Sequence, residues 1–231
     1  MKTGKILISV AASAVMALVS TSSYANLILL GETPISGTGL GAVNTILTIQ
    51  SPGNSSFESG SVGLAPGGAQ VLTGNAKPSS TVLPFSALGI TDASHLRVIF
   101  NAAEPGANSI ILDSLVLNMF NPIGELLFNT SYTSAPHTFA NTFSGTGNTG
   151  FAFALDEASA AAMQSLLSLP GAGNFLLGLS ASASMATGGQ ETFFMANAIS
   201  PVPEPETYAL MLAGLGLMGF VGRRRAKKSF S

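Results

Sequence analysis

Cysteine and tryptophan are absent from this 231-residue chain, tyrosine occurs three times and histidine twice. Without cysteine there can be no disulfide, no thiolate metal site and no cysteine nucleophile, so stability must come from packing and backbone hydrogen bonds. Charge is scarce too: Asp, Glu, Lys and Arg together are 9% of the residues. The bases are also unevenly placed. Between residues 26 and 200 only Lys77 and Arg97 stand against Glu32, Glu58, Asp92, Glu104, Asp113, Glu125, Asp156, Glu157 and Glu191, two bases against nine acids, for a net charge of −7. A surface of that sign repels phosphate backbones, so no nucleic-acid partner is expected. Long-range attraction to anionic lipid or anionic polysaccharide is not expected either.

The scarcity extends to catalytic groups. His95 and His137 are the available imidazoles, neither falls in a metal-ligand spacing, and no Gly-x-Ser-x-Gly elbow occurs. Gly145-Thr146-Gly147-Asn148-Thr149-Gly150 fits the dinucleotide-binding glycine pattern in its letters. That motif needs a helix opening at the third glycine, whereas Phe151-Ala152-Phe153-Ala154-Leu155 reads as a strand, so a hairpin loop is expected. Asp156-Glu157 read as helix-start acids rather than as a pair set across a cleft for glycoside hydrolysis. Glu104 and Asp113, with Asn101 and Asn108 as neutral oxygen donors, form a calcium candidate, because calcium takes carboxylate and amide oxygens. Sugar sites favour exposed aromatic platforms, but the body has one tyrosine, Tyr132, and its phenylalanines lie in apolar strand patterns. The expectation is a protein that is not an enzyme and uses no cofactor, with a glycan-binding β-sandwich module as the alternative.

Short apolar runs between Gly, Pro, Ser and Asn clusters fill the body and read as strands and turns. The spacing predicts strands over 27–30, 45–50, 70–73, 81–85, 96–101, 109–120, 125–131, 137–143, 151–155, 174–185 and 192–196. The clearest alternation sets Leu177, Leu179, Ala181, Ala183 and Met185 against Gly178, Ser180, Ser182 and Ser184, one apolar face and one hydroxylated face. One helix is predicted, capped by Asp156 and ended by Pro170-Gly171, with Leu155, Ala158, Ala162, Leu166 and Leu169 on its apolar stripe. Residues 51–68 read as loop. These features predict a mainly β fold, a two-sheet, jelly-roll-like β-sandwich with one short helix.

Both ends carry addresses. Lys2 and Lys5, an apolar run over 6–19 and Ser23-Tyr24-Ala25 form a signal peptide, with cleavage by signal peptidase expected between Ala25 and Asn26. At the other end, Pro201, Pro203 and Pro205 stiffen a linker that contains Pro203-Glu204-Pro205. An uncharged segment then runs from Tyr208 to Gly222. As a helix it would be about 22 Å long, short of the roughly 30 Å hydrocarbon core. Arg223, Arg224 and Arg225, with Lys227 and Lys228, form a positive-inside stop that keeps this end in the cytoplasm.

The stretch Val202-Pro203-Glu204-Pro205-Glu206-Thr207-Tyr208-Ala209-Leu210, then Ala213-Gly214-Leu215-Gly216-Leu217-Met218-Gly219 and the arginines, resembles the PEP-CTERM sorting domain. The resemblance covers 201–228 and implies recognition by an inner-membrane exosortase of a Gram-negative bacterium that makes exopolysaccharide. It further implies that Pro203, Glu204 and Pro205 are the recognition motif. The expected organisation is signal peptide 1–25, exported β-rich domain 26–196, linker 197–207, transmembrane sorting helix 208–222 and basic cytoplasmic tail 223–231. The expected path is an inner-membrane precursor, then release to the cell surface or extracellular matrix, with exopolysaccharide as a possible associate.

Overall fold

The computed structural model describes residues 26–34, 40–51, 55–103, 109–140 and 149–198, together with Gly214 and Met218, both helical. The expected signal peptide, the sorting motif, most of the expected sorting helix and the basic tail lie outside the described residues. Twelve strands and one α-helix make up the described body: β1 (Asn26–Pro34), β2 (Leu40–Ile49), β3 (Phe57–Leu64), β4 (Gln70–Gly74), β5 (Leu83–Pro84), β6 (Leu96–Asn101), β7 (Ile110–Phe120), β8 (Leu126–Tyr132), β9 (His137–Phe139), β10 (Thr149–Leu155), α1 (Glu157–Leu167), β11 (Leu176–Ser184) and β12 (Glu191–Ala198). The mainly β expectation with one helix holds.

The strands form one curled sheet in the order β2-β12-β6-β10-β1-β8-β7-β11-β3-β4, with β5 on β11 and β9 on β7. This corrects the expected pair of separate sheets, and ten strands on one path are not the eight strands in two sheets of a jelly roll. The reason is local. Two residues of β1 lie parallel to β8, Asn26 beside Ser131 and Leu27 beside Tyr132. That bridge joins two antiparallel leaves, β2-β12-β6-β10-β1 and β8-β7-β11-β3-β4. A sandwich-like interior survives because the leaves pack face to face. Phe139 of β9 meets Phe100 of β6 at 5.5 Å and Phe151 of β10 at 4.6 Å, and Phe100 stacks on Phe193 of β12 at 4.8 Å.

At the other side of the curl, the free edge of β2 is covered by the chain that leaves β4. Gln50 N–H donates to Asn75 O at 3.2 Å, Lys77 N–H to Thr48 O at 2.8 Å and Thr81 N–H to Ile46 O at 3.0 Å. Ser80 Oγ accepts the Thr48 N–H at 3.0 Å. Unpaired edge groups of a strand invite pairing with other chains, and this cover occupies the edge of β2 from Ile46 to Ile49.

Two segments depart from the sequence pattern. Residues 57–64, inside the expected loop, form β3, paired with β11 from Phe57 to Val62 and with β4 from Gly60 to Leu64. Its inward positions are Glu58, Gly60 and Val62, so a charge and a missing side chain hide the apolar period. The alternation of β11 holds through Ala183, but Met185 takes φ +62° and is exposed, so the strand ends at Ser184.

Candidate functional site

Helix α1 has the expected cap: the Asp156 side chain accepts the Ser159 N–H at 2.7 Å. Its inward face is rotated from the expected stripe. Ser159 and Met163 are fully buried, whereas Ala162 and Leu169 are exposed. The rotation follows from Ser159, whose hydroxyl receives the Asn26 N–H at 2.8 Å and donates to Asn26 O at 3.3 Å. Asp156 N–H also donates to Asn26 O, at 3.0 Å. Burial pushes the Asp156 carboxyl up, but hydrogen bonds from Ser159 and from the backbone and side chain of Asn26 outweigh it and hold the pKa below the ordinary value. The first residue expected after signal-peptide removal is thus clasped by the start of α1.

The expected calcium ligands are only partly within the described residues. Asn101 ends β6 beside inward-facing Phe100, on the opposite face of its strand. Asp113 lies in β7 and accepts the Ser184 hydroxyl at 3.1 Å on the hydroxylated face of β11. Asn101 is buried on β6 and Asp113 is half-buried on β7 of the other leaf; Glu104 and Asn108 lie outside the described residues. Among the described residues no group of three or more His, Asp or Glu is placed to hold a metal ion.

The histidines occupy different surroundings. His95 ends a short 3-10 helix, Ala93–His95, capped by Asp92, whose carboxyl is lowered by its hydrogen bonds to Ser94. His137 opens β9 and packs 4.6 Å from the Phe139 ring and 6.3 Å from that of Tyr132. Burial raises the Tyr132 phenol and lowers the Arg97 guanidinium, whose Nη1 donates to Ser94 O and Leu96 O. Of the glycine pattern, residues 145–148 lie outside the described residues. Thr149 and Gly150 begin β10, and Phe151 to Leu155 are the strand expected after it.

Sequence reasoning missed two buried acids, Glu58 on β3 and Glu191 on β12, both 0% exposed. They converge on the end of β2: Glu191 lies opposite Ile49 across the ladder, and Glu58 Oε1 accepts the Ser51 N–H at 2.7 Å. Glu58 Oε2 meets no hydrogen-bond donor among the described residues. Acids are depleted from interiors, and no local pattern in a Gly- and Ser-rich stretch marks one as buried.

Residues 201–225 match the family model of the PEP-CTERM protein-sorting motif, and the match is confined to this C-terminal segment. No curated protein and no solved structure matches the chain. The motif implies exosortase recognition, export and a membrane-associated precursor. Among the described residues no helix is long and apolar enough to cross a membrane, and of 208–222 only Gly214 and Met218 are among them.

Proposed function

We propose that this is an exported, noncatalytic surface or matrix protein of a Gram-negative bacterium, delivered by its C-terminal signal and processed by an exosortase. The match over 201–225 carries the reading. Pro203-Glu204-Pro205 is the segment the enzyme grips, the apolar run from Tyr208 to Gly222 holds it at the membrane, and Arg223, Arg224 and Arg225 set the register. Once released, the curled β body serves a structural or adhesive role in the exopolysaccharide-rich layer outside the cell.

The state of the aromatic residues supports a structural body over a glycan-binding module. Phe100, Phe139, Phe153 and Phe193 are packed in the core, at most 2% exposed, and Phe57, 51% exposed, is the one aromatic among the exposed large apolar side chains of the described residues. Sugar recognition by stacking needs such rings at the surface. The test is intact mass and membrane fractionation of the protein from its host, with and without the exosortase. Loss of the segment from Tyr208 onward in wild-type cells alone is expected; a chain that keeps this segment in the inner membrane refutes the sorting reading. Saturable binding on a glycan array would replace the structural role with the glycan-binding one.

A further inference from the structure

The clasp on Asn26 joins the N-cap carboxylate of α1, Asp156, to a hydroxyl that local folding does not need. Ser159 is 0% exposed, and its hydroxyl is used on Asn26, 133 positions away, rather than on its own helix. The Asn26 N–H donates to Ser159 Oγ at 2.8 Å, and the Asp156 carboxylate is held beside it, by the Ser159 N–H at 2.7 Å and by the Asp156 N–H on Asn26 O at 3.0 Å. Next to it, Leu27 is 2% exposed and Asn26 lies beside Ser131 in the two-residue bridge that joins the leaves. A nitrogen placed against a hydroxyl oxygen and a carboxylate is placed as an ammonium group would be.

We propose that the α-ammonium created at Asn26 by removal of the leader is the ligand of this clasp, so that export processing completes the fold. Hydrolysis of the Ala25–Asn26 bond consumes water, leaving a carboxylate on Ala25 and an amine on Asn26 that takes up a proton. The ammonium keeps the bond to Ser159 Oγ and turns another proton to Asp156. The inference rests on cleavage after Ala25, the reading of the N-terminus given above. The surrounding charges permit it. The N-terminus of α1 is an unfavourable dipole end for a cation, but Asp156 carries a full negative charge there and exposed Glu157 follows it. Around the clasp, β8 contributes the neutral phenol of Tyr132, the 3-10 helix packed on α1 contributes Asp92 and His95, and the Arg97 guanidinium of β6 is occupied by two carbonyls.

The sign of the pH dependence follows. An amine paired with a carboxylate has its folded pKa raised, so the stabilisation is complete below the unfolded value of about 7.7–8.0 and is lost as pH rises through the folded one. The chain from Asn26 to Ser231, released from a fusion with Asn26 as its first residue, is compared in detergent with three others. These are the same chain acetylated enzymatically on that amine, the chain that keeps Ala25, and Asp156→Asn, which retains an N-cap acceptor without the charge. The free-amine form should melt highest at about pH 6, each unit of raised pKa being tenfold in the folding equilibrium. Its advantage should vanish at high pH and in Asp156→Asn. NMR titration should place the Asn26 amine above the ordinary range. Equal melting of the free and acetylated forms at about pH 6, or an amine at or below the ordinary range, overturns the docking. An exported chain whose mass shows a start other than Asn26 overturns the coupling to processing, whatever the defined forms do.

Discussion

Asp156 serves as N-cap of α1 and as acceptor for Asn26, and its lowered pKa sets the direction of its pH effect. A depressed carboxyl contributes stability above its unfolded pKa of about 3.9, and that contribution is lost as pH falls through the lower folded value. Asp156→Ala should therefore cost about 0.5–2 kcal/mol near neutrality, and the gap to wild type should close when melting is followed from pH 6 to pH 2. Glu58 makes a different case, because its Oε1 satisfies a buried backbone N–H at Ser51. Glu58→Leu strands that donor, at about 1–3 kcal/mol. Glu58→Gln keeps an acceptor for that N–H, so urea unfolding should show it more stable than Glu58→Leu by about that margin. Equal losses in both variants would refute the acceptor role. Nothing in the sequence near Glu58 announces this role, since the N–H it serves lies in the connection between β2 and β3.

Among the elements, β6 was readable to the residue, Leu96 to Asn101, because Leu96, Val98, Ile99 and Phe100 form an apolar, mostly strand-favouring run. Strand β3 was not, because Gly60 occupies an inward position for a reason that lies elsewhere. A Cβ on Gly60 would sit 2.7 Å from Ile49 Cγ2 and 2.8 Å from Ala76 N, where the edge of β2 meets the chain leaving β4. Gly60→Ala should lower stability by about 1–3 kcal/mol through overpacking, seen as a lower urea midpoint at unchanged slope. An unaltered midpoint would show that the closure of the curl yields easily. In α1 the cap was legible and the buried face was not: propensity chose Ala158 and Ala162, while the bond from Asn26 turned Ser159 inward.

For the whole molecule, address and architecture separate. Glu204→Ala should leave in the inner membrane a precursor that keeps the segment from Tyr208 onward by intact mass, and normal surface yield of that variant would refute the recognition role. The sequence by itself determined the sorting signal over 201–225, the mainly β character and the acidic body, because each is written in contiguous residues: a motif beside an apolar run, period-two alternation, and a count of charges. Only the tertiary structure decided that the leaves join at Asn26 and Leu27, that the chain after β4 covers β2, and that Glu58, Glu191 and Ser159 are buried. Those outcomes depend on pairs far apart in the chain, such as Asn26 with Ser159, and such pairs leave no period for local patterning to register.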